Sequence, residues 1–125
     1  MDPEADMTTQ RQALGRRGEQ LAIEVLRRRG MTILARNWRC RNGELDAVGL
    51  DGEQLVVIEV KARSSRRFGS AAEAVSDDKV RHLHELGWRF RREHDLPVEH
   101  IRVDVIAVDF LEDTPLIRYF RAVGS

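Results

Sequence analysis

Cysteine is nearly absent: Cys40 is the one thiol in 125 residues. It has no intrachain partner for a disulfide, and with no second thiol or clustered histidine nearby it cannot build a thiolate metal site. A reduced, cytoplasmic protein is the expectation. His82, His84, His94 and His100 offer no zinc spacing either, because two residues apart on a helix do not face one ion. No apolar run approaches the roughly 20 residues needed to span a bilayer. Met1 to Thr9 is acidic and polar, unlike a signal peptide, and Met7 is an alternative start. Internal repeats and low-complexity stretches are also missing.

Charge of one sign is lacking in total but not locally. The chain has 21 basic and 21 acidic residues. Between positions 11 and 41, however, nine arginines stand against Glu19 and Glu24, whereas between 93 and 113 seven acids stand against Arg102. Lys61 and Lys79 are the only lysines, so the basic side chains are overwhelmingly arginine, whose planar fork suits phosphate oxygens. A polyanion surface near the N-terminus is one reading of this, and a mere coding preference for arginine is the other.

The length fits one domain, with residues 1–9 as a flexible tail and 10–123 as the folded unit. Helical spacing of Leu14, Gly18, Leu21, Ala22 and Val25 predicts a helix from about Thr9 to Arg29, stopped by Gly30. Gly15 and Gly18 cost that helix about 1 kcal/mol each relative to alanine, which a close backbone approach would explain. Strands are expected over 31–38, 44–50 and 54–62, the last two joined by a tight hairpin turn at Asp51-Gly52. A basic loop follows over 63–72. Ser76 then caps a second helix that ends before Leu96-Pro97, with strands over 101–108 and 116–123. The order αβββαββ implies an α/β (α+β) fold, a central mixed sheet flanked by helices.

The chemistry concentrates on the hairpin. Glu59 and Lys61 share one face of a strand that is otherwise Leu-Val-Val-Ile, and Glu44 and Asp46 share a face of its neighbour. Charges among such apolar neighbours are costly unless they are paired, bind metal or do chemistry. A turn closing at Asp51-Gly52 pairs roughly 46 with 57 and sets Asp46 diagonally across from Glu59. Two converging carboxylates repel unless a divalent cation lies between them, and hard Mg²⁺ prefers oxygen ligands. Lys61, about 6.6 Å along the strand from Glu59, would stand beside the attacking water. The bland alternative is a solvated cross-strand ion pair.

Asp46 followed by Glu59-x-Lys61 resembles the PD-(D/E)xK signature of restriction-endonuclease-like nucleases. More closely, Gly18-Glu19, Asn37-Trp38-Arg39, Asn42-Gly43-Glu44-Leu45-Asp46 and Val57-Ile58-Glu59-Val60-Lys61-x-Arg63 resemble the YraN-like family, over about residues 12 to 109. The resemblance implies a fold like that of Holliday junction resolvases and tRNA endonuclease domains, and a metal-dependent endonuclease using Mg²⁺ or Mn²⁺. It makes Asp46 and Glu59 metal ligands, Lys61 the catalytic lysine and Glu19 the acid on the first helix. Leu45 stands where the signature has proline. Glu44 is either a further ligand or a sheet-edge acid. Arg16, Arg17, Arg39, Arg41, Arg63, Arg66, Arg67 and Lys79 are candidates for holding phosphates.

The expected partner is nucleic acid, DNA before RNA, with no membrane and with a homodimer as an option. The competing class is an inactive nucleic-acid-binding or partner-binding module that keeps the fold. Trp38 and Trp88 are expected at the core edge rather than stacked on bases.

Overall fold

The computed structural model describes residues 3–64 and 75–124, with side chains from Thr9 onward. Helix α1 spans Pro3–Arg28 and starts six residues ahead of the expected Thr9, so the presumed tail is helical from Pro3. Proline is well suited to a first helical position because its φ is already fixed near the helical value. The helix ends as Gly30 predicts: Gly30 takes φ 90, its N–H donates to the Arg27 carbonyl and the Met31 N–H to that of Leu26, each at 3.0 Å. This pair of bonds closes the C-terminus in a Schellman motif.

Strands β1 (Thr32–Cys40), β2 (Gly43–Asp51) and β3 (Gln54–Arg63) form an antiparallel meander. Helix α2 (Asp77–Glu93) then carries the chain back so that β4 (His100–Asp109) pairs in parallel with β3, and β5 (Leu116–Phe120) closes the sheet antiparallel to β4. The five strands lie in sequence order. This is the mixed, helix-flanked αβββαββ arrangement expected from the sequence.

The helices cover opposite faces. Ala22, Ile23 and Leu26 of α1 pack with Ala47, Val56, Ile58, Ile106 and Val108. Val80, Leu83, Leu86 and Phe90 of α2 pack with Leu55, Val57, Val103 and Val105. Burial of β3 on both faces accounts for its continuous run Leu55-Val56-Val57-Ile58, as in parallel sheets sandwiched by helices. Two glycines set how closely the helices approach. A Cβ on Gly18 would come within 2.8 Å of Ala62 Cβ, and one on Gly87 within 2.7 Å of Val57. Gly15 has nothing within 4 Å, so only one of the two α1 glycines is explained by close packing.

Because β3 leads into α2 and α2 into parallel β4, the N-terminus of α2 belongs to the end of the sheet where β3 finishes. The opposite end is held by a buried polar network. Arg102 bonds Asp104, Asp51 and Gln54, and Asp104 also accepts from the Tyr119 hydroxyl and the Ala122 N–H. Burial and the bond to Asp104 push the Tyr119 hydroxyl up to about 12.

Candidate active site where β2 parts from β3

The β2–β3 ladder begins at Asp51↔Gln54 and ends at Ala47↔Ile58. Gly52 and Glu53 are therefore the central turn residues, not Asp51 and Gly52, and the register differs by two from the expected one. Gly52 has φ 61 while Glu53 keeps negative φ, which is the glycine-first pattern of a type II′ turn. With this register Asp46 stands opposite Glu59 at the mouth of the ladder instead of diagonally across it. Past the last pair, the Val60 N–H donates to Asp46 Oδ2 at 2.8 Å. The aspartate thus takes the place of the next ladder bond and is fixed by the backbone of the strand that carries Glu59.

Asp46 also lies on a break in strand alternation. Ala35 and Trp38, three apart, both pack toward α2, and so do Leu45 and Val48. The β1–β2 register passes from Arg36↔Ala47 to Trp38↔Leu45 without pairing Asn37 and Asp46. Asn37 takes φ 52 there, a left-handed conformation that asparagine tolerates better than most residues. The break is that of an extra residue in the pleat, and it leaves Glu44 and Asp46 within electrostatic reach of each other and of Glu19. Sequence reasoning missed Asn37 as part of the site. Its signal was an Asn with turn preference in the middle of a strand.

Four carboxylates, Asp46, Glu59, Glu19 and Glu44, are brought into electrostatic contact. Burial pushes the Asp46 carboxyl above its ordinary value, with Glu44 adding to the effect and the Val60 N–H, Lys61 and Lys79 opposing it. Burial and then the neighbouring Asp46 raise Glu59, against Lys61 and Lys79. Glu19, held against the sheet by the Gly18–Ala62 approach, is raised by burial and by Asp46, while the Asn37 side-chain amide and Arg36 pull it down. Lys61 Nζ lies 3.7 Å from Glu59 Oε1, with the lysine about one-third exposed and the glutamate nearly covered. Lys79, its N–H bonded to the Ser76 cap at 3.1 Å, is exposed on the first turn of α2.

Among the described residues, no group of three or more His, Cys, Asp and Glu side chains is drawn together as a ready-made metal cage. The donor chemistry still fits a hard divalent cation: Mg²⁺ keeps several waters and is commonly held by one or two carboxylates plus substrate phosphate. Asp46 and Glu59 are half-buried, mutually repelling oxygen donors of that kind. Glu44 is mostly exposed and paired with Arg39 at 3.1 Å, but its charge still reaches Asp46 and Glu19.

The candidate phosphate-holding residues divide. Arg11, Glu19, Lys61, Arg63 and Ser64 line one open groove between α1 and the end of β3. Arg16, Arg17 and Arg41 are exposed. Arg63 is half-buried and bonded to Asp109 at 3.0 Å, and Arg39 is taken up by Glu44. Arg66 and Arg67 lie outside the described residues. Trp38 packs edge-on against Phe90 with centroids 5.6 Å apart, as expected of the core edge. Trp88 does not: it is exposed, with the Arg91 guanidinium 6.0 Å from its ring centre. No described helix is long and apolar enough to cross a membrane.

Residues 18–108 match the model of a family described as Uncharacterised protein family UPF0102. The chain belongs to the UPF0102 family. This is the YraN-like family whose motifs the sequence carries. A UPF0102 protein of Arthrobacter sp. is 47% identical over 114 residues, covering 89% of this chain and 95% of the relative. One from Pseudarthrobacter chlorophenolicus is 46% identical over 113 residues, covering 90% and 86%. One from Mycolicibacterium gilvum is 42% identical over 120 residues, covering 94% and 98%. The UPF0102 match thus spans Glu19, Asn37, Asp46, Glu59, Lys61 and Lys79 together.

Proposed function

We propose that this UPF0102 protein is a metal-dependent endonuclease of the restriction-endonuclease-like class, cutting phosphodiester bonds in DNA in preference to RNA. The observation that carries the reading is the juxtaposition of two half-buried carboxylates, both with raised pKa, and a partly exposed lysine at a strand end. Asp46 and Glu59 would hold Mg²⁺ or Mn²⁺, with Glu19 beside them on α1. When bound, such an ion supplies Lewis-acid polarisation of a phosphoryl oxygen and acidifies water.

The chain's own residues do the rest. The Val60 N–H keeps Asp46 aimed into the site, so little reorganisation is needed when substrate arrives. Lys61, restrained by Glu59 but open on its outer side, presents its ammonium to the attacking water and to charge building on the phosphorus oxygens. Lys79 brings a second positive charge to the same pair of acids from α2. The competing reading, an inert binding module, draws on the zero net charge of the chain.

A cleavage panel separates the two. Branched junction, flap, nicked duplex, single strand and RNA are incubated with Mg²⁺ and Mn²⁺ beside Glu59→Ala and Lys61→Ala. Cutting of at least one substrate that drops by about 10² or more in both variants is expected for loss of a positioned catalytic group. No cutting of any substrate, or equal cutting by Glu59→Ala, sinks the nuclease reading.

A further inference from the structure

Helix α1 carries five arginines, Arg11, Arg16, Arg17, Arg27 and Arg28, with Arg29 just beyond its end, against Glu19 and Glu24, and all six arginines are exposed. Arg16-Arg17 and Arg27-Arg28 form two adjacent pairs eleven residues apart. Eleven residues make about three full helical turns, so the pairs project to the same side about 16 Å apart. That side is opposite Ala22, Ile23 and Leu26, which are buried against the sheet. Glu24 lies between the pairs but accepts from Gln20 at 3.2 Å and meets Arg28 only at 3.9 Å, an exposed contact of small worth. The ridge is therefore a row of positive charge on a neutral protein. The α2 side has no such row: Asp77, Asp78, Glu85 and Glu93 interleave with Lys79, Arg81, Arg89, Arg91 and Arg92.

The ridge has a direction. Its N-terminal pair flanks Gly18, which packs on Ala62 next to Lys61, and its far pair ends beside Arg29, which turns back over Tyr119. From Arg16 to Arg28 it runs about 18 Å at the helical rise, the length of about five base pairs at 3.4 Å each. It offers no platform for stacked bases, since the two rings next to it, Phe110 and Tyr119, are each covered by an arginine, Arg17 and Arg29, at 5.0 Å. Its outer side, Ala13, Arg16, Arg17, Gln20, Glu24, Arg27 and Arg28, also lacks the bulky apolar residues with which interfacial helices enter lipid. A straight, basic, non-stacking surface fits the phosphate rows of a duplex better than a single strand or a bilayer.

We propose that the α1 ridge is a rail for a double-stranded arm of the substrate, about five base pairs or longer, running from the cleavage point toward Arg27 and Arg28. The link between rail and cleavage point rests on the nuclease reading; the duplex-binding surface does not.

Binding is measured by fluorescence anisotropy in EDTA, so that no cleavage enters, with a labelled 20-base-pair duplex, the corresponding single strand and anionic phosphatidylglycerol vesicles. Arg27→Glu/Arg28→Glu is compared with wild type and with Arg89→Glu/Arg92→Glu on α2, and Arg27→Gln/Arg28→Gln serves if the reversed pair does not fold. The expected result is duplex binding weakened about tenfold or more in the α1 variants, with the slope of log affinity against log salt reduced by about 2. The α2 variant stays within about twofold of wild type. Equal binding by the α1 variants, an equal loss in the α2 variant, tighter binding of the single strand, or a loss confined to vesicles each overturns the rail. Failure of Glu59→Ala to change cleavage bears on the nuclease reading alone.

Discussion

The Val60 N–H donates to Asp46 Oδ2 at 2.8 Å across the point where β2 leaves β3. A main-chain donor that would otherwise continue the sheet is thus satisfied by the side chain of a candidate metal ligand, and the ligand's orientation is built into the backbone. Asn at position 46 keeps an acceptor for Val60 but loses the charge; Ala loses both. Asp46→Asn should therefore fold with a melting temperature at or above wild type, and Asp46→Ala should lose about 1–3 kcal/mol for an unsatisfied buried donor. Thermal unfolding of the two variants checks the ordering. Both should abolish Mn²⁺-dependent stabilisation, because an ion that binds only the folded site raises its stability.

Glu59 supplies a test of sign. Its folded pKa lies above the ordinary 4.5 through burial and Asp46, so the folded protein holds this proton more tightly than the unfolded chain. Its favourable contribution is present below pH 4.5 and is lost as pH rises through the folded value. Glu59→Gln should accordingly be more stable than wild type at pH 7, by about 0.5–2 kcal/mol, the usual range for relieving a strained functional site. The gain should shrink toward zero near pH 4. Urea midpoints at pH 4 and pH 7 give the answer, and a variant less stable than wild type at pH 7 would contradict the burial argument.

The two glycines of α1 give opposite predictions. A Cβ at Gly18 meets Ala62 Cβ at 2.8 Å, whereas one at Gly15 meets nothing within 4 Å. Gly18→Ala should cost about 1–3 kcal/mol as an overpacked contact, and should displace Glu19 from the site. Gly15→Ala should instead stabilise by about 0.5–1 kcal/mol through helix propensity. Denaturation curves of both variants, recorded side by side, test whether close approach or propensity governs each position.

Much of this was legible because the signals are local. Gly30, Ser76, the apolar run of β3 and the alternation of β4 each announce their element in a few residues, and β2, β3 and β4 begin or end within a residue or two of expectation. What failed depended on partners far away in sequence. The turn shifted by one residue because Gly52 takes the first central position, and that moved Asp46 opposite Glu59. The break at Asn37 and Asp46 exists only because two adjacent strands slip phase together. The bond from Arg63 to Asp109, delivered by β4 from 46 residues away, could not be read either. Trp88, expected at the core edge, is turned outward by α2.

Asp109 is the acid that holds this end of the sheet together rather than doing chemistry. It is 4% exposed, accepts from Arg63 at 3.0 Å and from Arg118 at 2.8 Å, and stands where the Phe110 N–H donates to the Arg63 carbonyl at 2.7 Å. Burial alone would raise its carboxyl, but Arg63 and Arg118 pull it further the other way, to a net value below the ordinary 3.8. Its contribution to stability is therefore present above pH 3.8 and is lost as pH falls through the lower folded value, opposite in sense to Glu59. Asp109→Asn leaves two arginines facing a neutral group inside the protein and should cost about 3–5 kcal/mol at pH 7, as removal of one partner of a buried pair does. Because Arg63 lies two residues beyond Lys61 on β3, the variant should also lower cleavage at saturating substrate, through misplacement of Lys61. Calorimetric unfolding between pH 3 and pH 7 should show the deficit of the variant narrowing as pH falls, and a deficit that instead stays constant down to pH 3 would remove the ion pair from the explanation.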